Sequence, residues 1–464
     1  MDRLAIRRLR VDTPERCPAS GQHRAVLRPN LYDPPMQKPK KLLDDCFLHD
    51  RDRLRHEEAI ALLRSRIVPV AGIEDVALDE AAGRTLARPI AARRPVPLHT
   101  NAAVDGFALA ATDHERAPDG VLRICGRAAA GHPLAGRAEP GTAVRIFTGA
   151  VMPEGVDSVA MQEDCEPVLI DGQDGVRIPA GLKPGANVRR AGEDVAAGHT
   201  LFEAGEIVRP QDLAALASIG QAEVACHRRL EVAIVSSGDE IIRAGTRELQ
   251  PGEVFDANAP MLRALATTAG CKVTDLGVWP DEEGEVRRRL AEAATRFDVI
   301  LTSGGASRGE EDHMVRAIGE IGTRHLWQLA IKPGRPMSFG QIGDTIVVGL
   351  PGNPVAVFVC FLMYVHPMLR RLGGAHWPEP RRLMLPAAFA FPARKTGRRE
   401  FWRGSLIETP SGLAVEKFAR DGSGLITSLR VADGLIDIPE GNTGVQPGDR
   451  VAFIPFTEFG ILRG

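Results

Sequence analysis

A repeated alternation of short apolar runs with amphipathic stretches, between residues 230 and 375, places the strongest constraint on how this chain folds. Residues 230–236 are a short run rich in β-branched side chains, as a buried parallel strand is. Further strands are predicted at residues 272–278, 298–302 and 345–350, and the segments between them carry apolar residues at helical spacing. This alternation predicts a mostly parallel sheet with helices on both faces, which is a three-layer α/β domain.

The sequence on either side of this region predicts further domains. Residues 1–50 are rich in Arg and Pro without periodicity, which is typical of a disordered extension or of translation that begins at Met36. A helical pattern starts at His56, and short runs cut by Gly and Pro turns follow between residues 92 and 197. We therefore predict a helical domain in two segments (51–91 and 198–229), an inserted β-rich domain (92–197), the α/β domain (230–378) and a C-terminal β domain (379–464).

The composition excludes several classes of protein. Fifty-eight basic residues stand against sixty acidic ones, so this near-neutral chain offers no broad surface for nucleic acid or for a membrane. Seven scattered cysteines form no C-x-x-C pair, which argues against a zinc site or a disulfide framework. The longest apolar run, residues 355–365, is shorter than the roughly 20 residues that span a bilayer. These features predict a cytoplasmic protein with reduced thiols and with neither a nucleic-acid nor a membrane partner.

Three polar or glycine-rich loops follow predicted strands of the α/β domain, at residues 236–240, 303–312 and 350–354. Ligands of open α/β sheets bind outside the carboxyl ends of the strands. Adjacent glycines let backbone N–H groups approach phosphate oxygens, and neighbouring carboxylates suit a Mg²⁺ ion. Turn formation and helix capping explain any one loop alone, but three such loops at one sheet edge predict a phosphate-bearing ligand.

Other segments leave alternatives open. Lys332 and Arg335, in a Lys-Pro-Gly-Arg-Pro segment, fit either an anion clamp or a solvated turn. Residues 305–309 match the G-x-S-x-G elbow of serine hydrolases, but the acidic run at 310–312 would repel a developing oxyanion. Residues 398–403, Arg-Arg-Glu-Phe-Trp-Arg, are interpreted as a charged β edge with a structural role. Asp105 and Asp194 lie in segments that also fit plain turns.

Taken in order, these segments resemble the molybdopterin molybdenumtransferase family, which includes the carboxy-terminal domain of gephyrin. Residues 101–108 are similar to its S-x-M-D-G-[YF]-A signature, and residues 147–163 to its TGA…P-x-G…QE stretch. Residues 189–194 are similar to its R-x-x-GED element. The strand-end loops and residues 331–336 follow in family order, so the resemblance covers residues 50–464.

The resemblance implies four parts: an elongated helical domain, an inserted β domain, an α/β domain and a C-terminal β domain. It also implies a homodimer whose cleft lies between the inserted domain of one subunit and the sheet domain of the other. The implied reaction uses adenylylated molybdopterin, molybdate and Mg²⁺, and it releases AMP and molybdenum cofactor. Further implied partners are the adenylyltransferase that makes the activated pterin and the acceptor molybdoenzymes.

Family positions carried over residue by residue give the candidate site. The candidate catalytic carboxylates are Asp105, Asp194, Glu240 and Asp312, and Glu240 and Asp312 are also the candidate metal ligands. The candidate substrate-binding residues are Thr148, Ser237, Gly238, Ser303, Gly304, Gly305, Lys332, Arg335, Pro336, Pro351, Asn353, Arg403 and Ser423. Molybdate is a tetrahedral dianion, which guanidinium groups and a hydroxyl are suited to bind.

Four positions depart from the family pattern. Gln328 stands where many members have a lysine, Arg335 replaces a usual lysine, Val104 replaces a methionine, and Arg308 stands where a small or apolar residue is common. These changes leave room for a paralogue that prefers another oxyanion, such as tungstate. Two competing classes are a non-catalytic scaffold of gephyrin type and the molybdopterin adenylyltransferase. Residues 303–307, Ser-Gly-Gly-Ala-Ser, lack the T-G-G-T-G type of loop, which argues against the adenylyltransferase.

Replacing Asp312 by Asn is expected to abolish AMP release from adenylylated molybdopterin and to leave the fold intact. The amide keeps the shape of the side chain but loses the charge that would hold a metal–phosphate group. AMP release measured beside circular dichroism checks this, and near-normal turnover by the folded variant would contradict the assignment.

Overall fold

The computed structural model describes residues 53–304 and 313–462 of the 464-residue chain. A six-stranded sheet occupies the region where strand–helix alternation predicted one. In spatial order its strands are Lys272–Trp279, Glu231–Ser237, Val299–Ser303, Thr345–Leu350, Pro336–Ile342 and Thr323–Gln328. The first four run parallel to one another and the last two join antiparallel, so the predicted mostly parallel sheet is confirmed.

Helices cover both faces of this sheet, as a three-layer fold requires. Successive side chains of a strand point to opposite faces. Val232 and Ile234 therefore pack with helix Asn258–Thr268 and the long helix Pro354–Leu372. Ala233 and Val235 pack instead with helices Glu283–Ala293 and His313–Ile321. Because both faces are covered, the inner strands Val299–Ser303 and Thr345–Leu350 are buried along their whole length rather than alternating.

The long helix consists of Pro354–Cys360, a π-helical turn Phe361–Val365, and His366–Leu372. Its length and apolar character would suffice to cross a membrane, but 89% of it is buried inside the protein, as in a core helix. Asn353 precedes the first turn, where the sequence predicted the N-cap, yet its side chain makes no capping hydrogen bond. The Val355 N–H donates instead to the Ser423 carbonyl at 3.0 Å, so the helix start is satisfied from the C-terminal region.

The inserted region forms a second six-stranded sheet. In spatial order its strands are Ser158–Met161, Gly106–Leu109, Thr142–Ile146, Val121–Ala128, Gln173–Arg177 and Glu166–Ile170. Beside it, the short strands Asn101–Ala102 and Val188–Arg189 pair antiparallel, and helix Ala111–Arg116 packs at one end. The pairing of Asn101–Ala102 brings the Asp105 loop and the Asp194 loop into one part of this domain.

The region predicted as helical holds helices His56–Arg66 and Pro210–Ser218. It also holds two antiparallel strand pairs that were not predicted, Ile73–Ala77 with Glu223–His227 and Ile90–Ala91 with Thr200–Phe202. The second pair connects the segment that leads into the inserted domain with the segment that leads out of it.

Single turns of 3-10 helix lie at Leu78–Glu80, Pro118–Gly120, Gln162–Asp164 and Phe456–Phe459.

The C-terminal region is a third six-stranded sheet, with helix Thr427–Val431 beside it. Its strands are, in spatial order, Ile331–Lys332, Arg399–Thr409, Gly434–Ile438, Arg450–Pro455 and Leu383–Pro386, with Gly412–Lys417 also paired to Arg399–Thr409. Ile331–Lys332 comes from the α/β part of the chain and pairs parallel with Arg399 and Glu400. The interpretation of residues 398–403 as a β edge is wrong, because this strand is paired on both sides.

A last strand pair, Ile241–Ile242 with Val254–Phe255, lies in the loop between the second sheet strand and helix Asn258–Thr268. It carries the chain from the carboxyl edge of the sheet to the start of that helix.

Candidate active site

A cavity of about 820 Å³ opens at the carboxyl edge of the four parallel strands. This is the edge where open α/β sheets bind their ligands, because the strand-end loops converge there. Three parts of the chain contribute: the strand-end loops, the segment at 332–336, and the C-terminal β domain. The lining residues are Ser237, Gly238, Glu240, Asp281, Gly304, Lys332, Pro333, Gly334, Arg335, Pro336, Pro351, Gly352, Asn353, Ala356, Trp402, Arg403, Asp421, Gly422 and Ser423.

Most of the candidate residues from the sequence lie in this one cavity. Those that line it are Ser237, Gly238, Glu240, Gly304, Lys332, Arg335, Pro336, Pro351, Asn353, Arg403 and Ser423. Ser303 is buried directly behind the lining. Asp105, Thr148 and Asp194 do not line it, and Gly305 and Asp312 lie outside the described residues. The structure thus brings most of the set together, while the role of each residue stays a prediction.

Charge is separated along the cavity because the sheet fixes the order of its loops. Asp281 follows the edge strand Lys272–Trp279, and Glu240 follows the neighbouring strand. The backbone N–H of Asp281 donates to an Asp239 carboxylate oxygen at 3.4 Å, which joins these two loops. Pro351 follows the fourth parallel strand, beside the C-terminal domain that carries Arg403. One end of the cavity is therefore acidic, and the other carries three cations and one carboxylate, Asp421, which lies 2.6 Å from the Lys417 ammonium.

Three cations, Lys332, Arg335 and Arg403, form the cationic end. Arg403 is buried, and its guanidinium donates from Nε to Ser428 Oγ at 3.0 Å and from Nη2 to the carbonyls of Arg420 and Gly422. Burial lowers the pKa of Arg403, against the opposing effect of Asp421, but a guanidinium stays protonated. Nη1 has no hydrogen-bond partner among the described residues, so it is available to an anion in the cavity.

Two glycines allow the close approach of backbone segments that shapes this cavity. Gly304 has a φ of +93°, and a Cβ there would lie 3.0 Å from the Ser237 carbonyl oxygen of the neighbouring loop. Gly334 has a φ of +107°, and a Cβ there would overlap the Cys360 sulfur of the long helix. Both positions need glycine for the backbone conformation and for the space.

Asn258 ties two of the strand-end loops together from behind the cavity. Its Nδ2 donates at 2.7 Å both to Ser303 Oγ and to the Gly352 carbonyl. The preceding Asp256 accepts from the backbone N–H groups of Asn258 and Ala259 at 3.0 Å and from the Ser236 hydroxyl, which fixes the start of helix Asn258–Thr268. Neither residue was predicted from the sequence, because polar residues at the start of a helix resemble an ordinary cap.

A second polar cluster lies in the inserted domain. The backbone N–H and the hydroxyl of Thr148 both donate to Asp105 Oδ1, at 2.8 and 2.7 Å. These two bonds lower the pKa of Asp105, so its carboxylate stays ionised well below neutral pH. Asp105 and Thr148 are therefore hydrogen-bonded to each other, and neither lines the cavity of the same chain.

The described residues contain no group of three or more His, Cys, Asp or Glu side chains that could enclose a metal ion. Two carboxylates, Glu240 and Asp281, nevertheless line the acidic end of the cavity. Asp281 is a lining residue that was not predicted from the sequence, and neither were Trp402 and Asp421. Asp281 could have been found, because it follows a predicted strand at the same sheet edge as Glu240.

Comparison with known proteins agrees with this architecture in three regions between residues 54 and 456. Residues 54–220 match the MoeA N-terminal region (domain I and II), residues 233–371 the probable molybdopterin binding domain, and residues 385–456 the MoeA C-terminal region (domain IV). Molybdopterin molybdenumtransferase from Haemophilus influenzae is 35% identical over 381 residues, covering 82% of this chain and 93% of that protein. The chain belongs to the molybdopterin molybdenumtransferase family.

Two further relatives place this family member in context. The crystal structure of the molybdopterin biosynthesis MoeA protein from Pyrococcus horikoshii OT3 matches with a TM-score of 0.74 at 28% identity, covering 87% of this chain and all of that one. Gephyrin from Dictyostelium discoideum is 30% identical over 346 residues, which is 65% of this chain and 47% of that protein. The predicted resemblance and fold class are confirmed.

Replacing Asn258 by Ala is expected to loosen both loops that it holds. Removing one partner of a buried hydrogen bond costs about 1–3 kcal/mol for the group left unsatisfied, and here two acceptors lose their donor. Hydrogen–deuterium exchange should become faster in the peptides that contain Ser303 and Gly352. Thr267→Ala, which removes an exposed bond to Arg263 on the same helix, is the matched control and should leave both loops unchanged. Unaltered exchange in the Asn258 variant would contradict this account.

Proposed function

We propose that this chain inserts molybdenum from molybdate into adenylylated molybdopterin and releases AMP and molybdenum cofactor. The observation that carries the proposal is the separation of acidic and cationic side chains within one cavity at the carboxyl edge of the sheet. A metal-bound phosphate group would suit the acidic end, and a separate oxyanion would suit the cationic end. The curated relatives that carry the transferase name support the same reaction.

At the cationic end, we propose that Lys332, Arg335, Arg403 and Ser423 bind molybdate. Two guanidinium groups, an ammonium and a hydroxyl supply donors to a tetrahedral dianion from several directions. Arg403 is held by its bonds to Ser428 and to two carbonyls, so little side-chain freedom is lost when an anion binds. This preorganisation favours an oxyanion over a flexible organic acid.

At the acidic end, we propose a Mg²⁺ ion held by Glu240, with Asp281 beside it and Asp312 as the further ligand expected from the family. Mg²⁺ commonly binds one or two carboxylates and completes its shell with phosphate oxygens and water, so this donor set fits. When bound, the ion would offset charge on the phosphate oxygens during cleavage of the pyrophosphate bond. The loops at Ser237 and Gly304 would contact the same phosphates through their backbone.

We further propose that the chain works as a homodimer. Asp105, Thr148 and Asp194 belong to the family's site, yet none of them lines the cavity of their own chain. Two copies related by a two-fold axis would place the Asp105–Thr148 cluster of each against the cavity of the other. We also propose a cytoplasmic location, supply of substrate by the adenylyltransferase, and transfer of the product to acceptor molybdoenzymes.

Adenylylated molybdopterin should yield AMP only when both molybdate and Mg²⁺ are present. Chromatographic measurement of AMP with each component omitted in turn checks this. Molybdate-independent consumption of ATP and bare molybdopterin would instead identify an adenylyltransferase. Faster turnover with tungstate than with molybdate would identify altered oxyanion preference. Complete absence of turnover, with capture of a partner protein, would favour a scaffold and would contradict the proposal.

Mixing two inactive variants should restore activity if the site is shared between subunits. Asp105→Asn keeps the acceptor for Thr148 but loses charge, and Arg335→Ala removes an exposed cation from the cavity. In a mixed dimer, one cleft carries both changes and the other carries none. Co-expression in equal amounts should give half mixed dimers and so about a quarter of wild-type turnover, with each variant alone nearly inactive. Activity of the mixture no higher than the mean of the parents would reject the shared cleft.

A further inference from the structure

Glu400 lies next to the cavity but does not line it, and it is only 2% exposed. Three cations surround its carboxylate: the Nε atoms of Arg398 and Arg394, at 3.0 and 3.5 Å, and the Lys332 ammonium at 3.8 Å. The indole N–H of Trp402 also donates to it, at 2.8 Å. A buried carboxylate is stable only when charges and hydrogen bonds compensate it, and here three cations and one indole N–H do so.

The two oxygens of this carboxylate serve different parts of the molecule. Oε1 accepts from Arg398 and faces Arg394, and neither arginine lines the cavity. Oε2 accepts from Trp402 and is the oxygen nearest to Lys332, and both of these residues line the cavity. The carboxylate therefore connects a structural pair of arginines to two neighbouring groups of the cavity wall.

The backbone supports the same connection. Lys332 and Glu400 are direct partners in the parallel pairing of Ile331–Lys332 with the strand Arg399–Thr409. The Trp402 ring packs against Phe391, with ring centroids 4.8 Å apart, and its indole N–H donates to Glu400. Glu400 therefore fixes the polar edge of a ring that Phe391 already holds. Glu400 is thus the one charged group that contacts both Lys332 and Trp402 within the described residues.

We propose that Glu400 is a positioning residue that sets the Lys332 ammonium and the Trp402 indole in the wall of the cavity. Because Arg394 and Arg398 share the same carboxylate, Lys332 is oriented without being fully neutralised. The distance of 3.8 Å is an ion pair rather than a hydrogen bond, so the N–H donors of Lys332 stay available to an anionic ligand. This inference deepens the proposed function, on which its turnover readout rests.

Glu400→Gln, which keeps the shape and removes the charge, tests the proposal in a double-mutant cycle with Lys332→Met. Molybdate-dependent AMP release should fall at least tenfold in Glu400→Gln. In the Lys332→Met background the same change should cost less than a further twofold, because the group that it positions is already gone. Additive losses, or turnover of Glu400→Gln within twofold of wild type, would overturn the proposal.

Arg398→Gln is the matched control, because Arg398 contacts the same carboxylate on the side away from the cavity. Its turnover should stay within twofold of wild type, and an equal loss in both variants would reduce Glu400 to a general structural role. If Glu400→Gln does not accumulate as folded protein, Glu400→Asp carries the same cycle, since it retains the charge but retracts the carboxylate from Lys332 and Trp402.

A spectroscopic readout separates this inference from the proposed function. The near-ultraviolet circular dichroism of Trp402, taken as the difference between wild type and Trp402→Phe, should change in Glu400→Gln and stay unchanged in Arg398→Gln. If wild type shows no molybdate-dependent AMP release, the proposed function fails. The circular dichroism of Trp402 then still decides whether Glu400 positions that side chain in the cavity wall. An unchanged Trp402 signal in folded Glu400→Gln would refute the positioning role.

Discussion

The short parallel pairing of Ile331–Lys332 with Arg399 and Glu400 is the interaction on which the cavity depends. Four parallel strands bring their loops to one edge, but an edge alone is open to solvent. The pairing carries the chain from the α/β sheet into the C-terminal sheet and back to strand Pro336–Ile342. The bond from Val355 to the Ser423 carbonyl fixes the same two domains at a second point. Together these contacts hold the C-terminal domain along one side of the crevice at the strand ends, where it forms one wall of the cavity.

The order of the strands explains the distribution of charge as directly as it explains the shape. Because the strand that precedes Asp281 lies at the sheet edge, and the strand that precedes Pro351 lies beside the C-terminal domain, acidic and basic side chains cannot exchange places without a change of topology. Asn258 and Gly304 then keep neighbouring loops at bonding distance. Under the proposed function, this order of loops would hold a metal–phosphate group and an oxyanion in one cavity, which a reaction between them requires.

Sequence patterns predicted the elements of the α/β domain because the spacing of apolar residues and the content of β-branched residues depend only on neighbouring positions in the sequence. Thr345–Leu350 and the helix start at Pro354 are placed as predicted. The two-residue strand Ile331–Lys332 has no pattern of its own, since its partner 68 residues later defines it. Glu400 was misread for the same reason: charged residues alternating with aromatics suggest an exposed edge, and only the pairing on both sides shows a buried carboxylate. Asp256 and Asn258 were missed because their partners, Ser236, Ser303 and Gly352, are distant in sequence.

The position of Gln328 bears on how far this member departs from its family. Its backbone carbonyl accepts from the Leu54 N–H at 2.8 Å, and its strand partner is Pro336, but Gln328 itself does not line the cavity. The three cations that do line it come from Lys332, Arg335 and Arg403. Gln328 therefore contributes no group to the cavity surface. Two of the three cations present are guanidinium groups, which bind tetrahedral oxyanions through paired N–H donors. Relative to the lysine that the resemblance implies at position 335, Arg335 gives the cationic end directional donors and leaves it cationic.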